Sequence, residues 1–328
     1  SQITGVPAEE ITAAARFFAN AKRASIHWGV PIDMCPDGTS VAHGIICLWA
    51  ITGNIDIPGG QVIARPSHEV SSYPYSTEAL IDLYGEELVK TLTEKRIGAD
   101  EYKMVKNFRG WAQPDMVIDQ IMTGDPYPVK GAWIQTANVL GGQAARANFH
   151  YEALKKLEFV AVVDLFHNPT TMALADIVLP SSTFPEKDSF RSWWAPLSII
   201  KKRVQVGECK TDWEINFELA KRFNPEGTQR WGSPMEYFNE RLAPSGKTFK
   251  DMEDAGGWLM PEDGPAKPYN RHERGLLRPD GKPGFNTPSG KIEVYCSAYE
   301  DWDLDPLPFY TEPPQSPIST PELHEKYP

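Results

Sequence analysis

Residues 131–180 constrain the fold more than any other stretch. Three short apolar runs, at 131–136, 158–165 and 176–179, alternate with segments of helical spacing near 149–157 and 170–175. Strands alternating with helices at this spacing predict parallel β-α-β units, and so a Rossmann-like α/β domain with a parallel sheet. The first two runs end in small and polar residues, "TANVLGG" and "DLFHNPTTMALAD". Parallel sheets hold ligands just beyond the carboxyl ends of their strands.

Several residues fall at those ends. Asn138 lies past the first strand and Asp164 at the tip of the second, with Val163 before it. An Asp at a strand tip suits a ribose diol or the N–H edge of guanine. It reads equally as a cap for the helix that follows, and Asn138 reads equally as a turn residue. Gly141-Gly142 would let backbone approach a ligand closely. In "ADIVLPSSTFPEKDSF", the hydroxyls of Ser181, Ser182 and Thr183 and the cation of Lys187 suit a phosphate or pyrophosphate. The plainer reading is a surface loop with a solvated Lys. Asp212, before Trp213, reads as a ligand group or as a helix N-cap.

The rest of the chain sorts into elements. Residues 7–23 predict an amphipathic helix with apolar Ile11, Ala14, Ala15 and Phe18, Pro7 in its first turn and Lys22-Arg23 at its end. "ASIHWG" reads as a short buried strand ending at Gly29, "VPIDMCPDGTS" as a loop, and "VAHGIICLWAITGNI" as a helix stopped at Gly53-Asn54. Residues 76–122 read as polar helices without evident chemistry. "TDWEINFELAKRFNP" is a further amphipathic helix. From about 224 the chain reads as Pro- and Gly-rich and irregular, with "GKIEVYC" as one short strand.

Composition excludes some partners. Net charge is -11, which argues against a nucleic-acid backbone. No apolar run reaches 18 residues, so no direct membrane insertion is expected. Cys35, Cys47, Cys209 and Cys296 form no C-x-x-C pair and read as reduced, mostly buried thiols rather than metal ligands. A nicotinamide-dependent dehydrogenase would show G-x-G-x-x-G at a strand–helix turn, and "TANVLGGQAAR" does not supply it. A purely assembly role would rest on the 76–122 insert, which reads more simply as a solvated face.

Five stretches in order resemble the molybdopterin oxidoreductase family, the group of dimethyl sulfoxide reductase, formate dehydrogenase and nitrate reductase. They are "ITGVPAEEITAAARFFANAKRASIHWG", "AHGIICLWAITGNIDIPGGQV", "VVDLFHNPTTMALADIVLPSSTFPEKDSF", "KTDWEINFELAKRF" and "FNTPSGKIEVY". The resemblance implies a molybdenum or tungsten atom held by two pyranopterin guanine dinucleotides and used for two-electron redox or oxygen-atom transfer. It implies that Asn138, Val163, Asp164, Lys187 and Asp212 bind the dinucleotide, and that Trp28, Gly29 and Ile32 line the pterin, although Ile32 replaces a polar residue of some relatives. Arg65 aligns with an Arg near the metal in formate dehydrogenases. His68 would then be a candidate proton shuttle, or simply a solvated loop His. No metal ligand is expected within these residues.

The resemblance also implies a central piece of a longer catalytic subunit, inactive by itself and without bound cofactor in isolation. The metal ligand, a 4Fe-4S cluster, any export signal and a closing C-terminal domain would lie elsewhere in that chain, and an electron-transfer iron–sulfur subunit would be its partner. The expected organisation is 1–70 as the end of one pterin-dinucleotide domain and part of a second α/β domain, and 71–125 as a helical insert. Residues 126–225 would be the other α/β dinucleotide-binding domain, and 226–328 an irregular extension leading to the missing C-terminal domain. A non-catalytic scaffold of the kind found in the large iron–sulfur subunit of respiratory complex I is the alternative.

Overall fold

The computed structural model describes residues 1–62, 80–81, 84–108, 111–142, 144–191, 197–259 and 269–327. The chain is mixed α/β and divides into two compact units, Ser1–Ala64 with Glu262–Pro328, and Arg65–Pro261. The residues expected as a separate insert, 71–125, belong to the second unit, and those expected as one extension, 226–328, are shared between both.

In the first unit, α1 (Ala8–Asn20) carries Glu9 and Glu10 in its first turn, where they complement the helix dipole, and none of its residues is buried. A one-turn helix, α2 (Val30–Asp33), and the start of α3 (Gly38–Ile51) occupy the segment expected to be a loop, because Pro31 is tolerated in a first turn. Residues 24–29 form no strand. Their burial alternates as a strand's would, but no neighbouring strand pairs with them, and the Ala24 N–H donates to the Asn54 side chain instead. Trp28 stacks on Trp49 of α3 with ring centroids 5.3 Å apart. Past α3, Gly53 takes a left-handed φ of 68° and turns the chain.

The 53–61 turn is pinned from across the sequence. Asp56 is fully buried and receives the Arg271 backbone N–H at 2.6 Å and its Nε and Nη2 at 3.2 Å. Residues 290–296 make no strand ladder, contrary to the expectation, and 269–327 run mostly as turns with short helices at Ser297–Glu300 and Pro321–Lys326.

In the second unit, α4 (Glu86–Lys95), α5 (Lys103–Phe108) and α6 (Pro114–Thr123) precede the sheet. Gly124 closes α6 in the left-handed conformation, φ 75°, which a side chain would disfavour. Strands β1 (Gly131–Gln135), β2 (Phe159–Asp164) and β3 (Ile177–Pro180) then pair in parallel in the order β1-β2-β3. Their bounds follow the sequence reading closely. Val160, Ala161, Val162 and Val163 of the central strand are all at most 2% exposed.

The crossover helix α8 (Ala147–Leu154), after the single turn α7 (Val139–Gly142), packs Ala153 and Leu154 on Ile118 and Ile121 of α6. Helix α9 (Pro169–Leu174) begins at an Asn168 capping box. The Asn168 side chain accepts from the Thr170 and Thr171 N–H groups, while its own N–H donates to the Thr171 hydroxyl.

The stretch after β3 is more ordered than its Pro content predicts. Strands β4 (Ser189–Arg191), β5 (Leu197–Ile200) and β6 (Trp258–Leu259) form an antiparallel sheet. Helices α10 (Asp212–Phe223), α11 (Pro225–Thr228), α12 (Pro234–Leu242) and α13 (Phe249–Asp254) follow, so the irregular region starts later than residue 224. Pro225 and Pro234 sit in first turns, where they start helices rather than break them. Leu197, Phe238, Leu242, Phe249 and Met252 form the core there.

Candidate functional site

The carboxyl edge of β1-β2-β3 gathers five of the expected residues. The register sets Gln135 beside Val163 and Asp164 beside Pro180, so the three strand tips stand level. Gln135, at the end of β1, donates its Nε2–H to Asp212 Oδ1 at 2.8 Å. Ser181, one residue past β3, donates its hydroxyl to the same oxygen at 3.1 Å. Lys187 Nζ lies 3.8 Å from the other oxygen, Asp212 Oδ2, with both side chains 27% exposed. Asp212 is therefore the hub of the edge. The helix cap is its neighbour Thr211, whose side chain accepts from the Glu214 N–H.

The second cluster lies on the loops after β1 and β2. Asn138 Oδ1 accepts from the Thr170 hydroxyl at 3.0 Å and from the Gly141 N–H at 3.1 Å. Asp164 Oδ1 accepts from the Leu165 N–H at 2.6 Å, and Oδ2 from Asn168 Nδ2 at 2.7 Å. The cap of the helix that follows, the plainer of the two sequence readings of Asp164, is Asn168 instead, and Asp164 closes its own loop. By doing so it holds Leu165 and Phe166 out at the tip, 48% and 75% exposed. Val163 is fully buried and its carbonyl is taken by the Thr136 N–H, so it supports the edge from beneath. Thr136 has a φ of 56°, a conformation rarely held by a β-branched residue and one that recurs at functional sites.

The loop after β3 departs from the expected phosphate cradle. The Thr183 hydroxyl and N–H both bond the Glu186 carboxylate, at 2.7 and 2.9 Å, and close a capping box. These bonds, with the Cys209 thiol behind them, hold the Glu186 carboxyl down to about 2. Ser182 differs from both neighbours. It is 2% exposed, and its Oγ is fully buried without a hydrogen-bond partner.

Trp28, Gly29 and Ile32 lie in the first unit. Trp28 is half-buried against Trp49, Gly29 precedes α2, and Ile32 is half-buried with its carbonyl accepting from the Cys35 thiol. Arg65 and His68 lie outside the described residues. The four cysteines are free and half-buried. A hollow of about 530 Å³ in the second unit, lined by Arg96, Asp119 and Tyr127 among others, contains none of the expected residues. The sequence reading passed over Gln135, Thr170 and Asn168 as site residues. Their signal was a polar or capping residue at the end of an apolar run, visible only by type.

The family model for molybdopterin oxidoreductases matches residues 13–222. The chain belongs to the molybdopterin oxidoreductase family. Similar members include acetylene hydratase of Syntrophotalea acetylenica, 30% identical across 100% of this chain and 46% of the relative. Dimethyl sulfoxide reductase DmsA of Escherichia coli is 31% identical across 95% of this chain and 40% of the relative, and formate dehydrogenase H of the same organism is 28% identical across 77% and 36%. The solved acetylene hydratase from Pelobacter acetylenicus superposes with a TM-score of 0.81 at 27% identity, over 100% of this chain and 46% of that one. The chain thus spans less than half the length of these relatives.

Proposed function

We propose that this chain is the central part of a molybdenum or tungsten enzyme carrying two pyranopterin guanine dinucleotides, and that the carboxyl edge of β1-β2-β3 holds one nucleotide end. The observation that carries this reading is the convergence of Gln135, Ser181, Lys187 and Asp212 from four separate segments beside the unsatisfied Ser182 hydroxyl. The donor set fits such a group. Ser182 needs a partner, Asp212 Oδ2, with Lys187 Nζ 3.8 Å away, can accept N–H groups from a base or hydroxyls from a ribose, and Lys187 offers a compact cation to a pyrophosphate.

The residues would divide the work. Gln135 and Ser181 fix one oxygen of Asp212 and so orient the other. Lys187, now shared with Asp212, would offset the ligand's charge. Asp164 acts indirectly, by shaping the loop that displays Leu165 and Phe166, whose exposed apolar surface suits the face of a base. Bound, the cofactor would supply two-electron or oxygen-atom transfer at its metal. Further polypeptide would complete the clasp and bring a 4Fe-4S cluster, an iron–sulfur subunit would carry electrons, and the chain in isolation would be inactive.

A second reading is hydration without net redox, favoured by the 30% identity to an acetylene hydratase along the whole chain. A non-catalytic scaffold is disfavoured by the linked Lys187–Asp212–Gln135 set.

The test uses the full-length protein purified without oxygen. Metal is measured by mass spectrometry and GMP after acid hydrolysis. The expected result is molybdenum or tungsten with two guanine nucleotides per metal, and a marked loss of GMP in Asp212→Ala. A folded protein free of both metal and GMP refutes the reading. Turnover of a hydration substrate with no electron acceptor present would decide for the second chemistry.

A further inference from the structure

Trp133 stands two residues before Gln135 on β1, so both side chains leave the same face of the sheet. β1 is an edge strand, and the indole is 39% exposed there. The Trp133 backbone pairs with Ala161 of β2, as the ladder requires. Its side chain does something further. The indole Nε1–H donates to Gln135 Oε1 at 3.0 Å. The other end of that carboxamide donates to Asp212 Oδ1, the oxygen that also accepts from Ser181.

These contacts settle which way the carboxamide points. An indole nitrogen can only donate, and the Asp212 carboxylate can only accept. Gln135 therefore joins them in one orientation, with oxygen toward Trp133 and nitrogen toward Asp212. The reverse would set two N–H donors against each other and an amide oxygen against a carboxylate oxygen. A Gln side chain is costly to hold still, because it gives up much rotamer freedom. Trp gives up less, and this one sits on a paired strand, so the order runs from Trp133 through Gln135 to Asp212.

We propose that Trp133 is a positioning residue of this strand edge: its indole N–H holds the Gln135 amide, which keeps Asp212 Oδ1 occupied and turns Oδ2, beside Lys187, toward a ligand. The inference rests on the strand-edge reading above and adds a residue that acts only through Gln135. The Gln135 backbone is held separately. The Thr136 hydroxyl donates to the Gln135 carbonyl at 2.7 Å, and the Thr136 N–H donates to the Val163 carbonyl. Loss of the indole N–H therefore frees the carboxamide and not the strand.

Trp133→Phe keeps an aromatic ring suited to a strand and deletes the donor. The full-length protein, purified without oxygen, is labelled with heavy nitrogen at glutamine, and the Gln135 side-chain amide is followed by NMR. In Trp133→Phe that signal should move toward the position of a free glutamine amide. GMP should leave the variant about 2- to 10-fold faster than the wild type in mild denaturant, the range of one neutral hydrogen bond. Added to Gln135→Ala, Trp133→Phe should change nothing further, whereas a stacking or merely structural role of the ring would persist there. The proposal is overturned if the Gln135 signal is unmoved in Trp133→Phe, if GMP leaves variant and wild type equally fast, or if the second substitution adds its full loss to Gln135→Ala. A wild-type protein without GMP refutes the strand-edge reading instead, and the amide signal then still decides whether Trp133 holds Gln135.

Discussion

Asp56 offers the sharpest test of what holds the first unit together. Its carboxylate is fully buried, and the Arg271 side chain facing it is only 7% exposed. The carboxylate takes the Arg271 N–H, Nε and Nη2, and the His272 N–H at 3.4 Å. Asp56→Ala removes a buried acceptor shared by the Arg271 guanidinium and two backbone N–H groups. Breaking a buried pair from one side costs about 3–5 kcal/mol. The residue also sits at φ 57°, where Ala loses about 1 kcal/mol more and Gly loses none.

Asp56→Gly should therefore be about 1 kcal/mol more stable than Asp56→Ala, despite the smaller side chain. The readout is hydrogen exchange by mass spectrometry on peptides covering 53–61 and 269–276, which reports this unit alone. Exchange in Asp56→Ala should be faster by about 100-fold or more, since each 1.4 kcal/mol is tenfold. Adding Arg271→Met should recover part of the loss, because a buried ion pair gives little net stability over apolar replacements. A loss below about 1 kcal/mol in Asp56→Ala, or Ala equal to Gly, would refute the reasoning.

Other outcomes follow from the second unit. Leu242→Ala removes a fully buried side chain from the Phe238–Met252 core and should cost about 2–5 kcal/mol in chemical denaturation. Asn168→Ala deletes a capping box and should cost about 0.5–2 kcal/mol, with faster amide exchange at Thr170 and Thr171 as its local signature. The Glu186 carboxyl falls on folding from 4.5 to about 2. It therefore adds stability that is complete above 4.5 and fades as pH drops toward 2. Glu186→Gln should lower the melting temperature at neutral pH and flatten its decline across that acid window. An unchanged acid limb would show that the Thr183 and Cys209 bonds contribute nothing there.

What was legible in the sequence was what is local. The β-α-β unit announced itself because each strand and helix declares its period within a few residues, and parallel pairing follows from the alternation. The β4-β5-β6 sheet did not. Its strands are two to four residues long, and Ser198 pairs with Trp258 across a stretch of helices and turns. Residues 24–29 show the reverse failure: a strand-like pattern makes a strand only where a neighbour pairs with it.

The same division runs through the candidate site. Asn138, Asp164, Lys187 and Asp212 could be picked out as polar residues at strand and helix ends. The sequence could not tell that Gln135 reaches Asp212 across 77 positions, nor that Asp164 would be engaged by its own loop. That distinction changes the expected variants. Asp212→Asn keeps one acceptor for Gln135 and Ser181 but removes the charge that Lys187 faces, so it should weaken ligand retention with little effect on the fold. Asp164→Ala removes both acceptors, must instead loosen the loop, and should release the Leu165 and Phe166 N–H groups to exchange whether or not a ligand is present. If the two variants behaved alike, with exchange unchanged in both, the separation of hub from loop closure would be wrong.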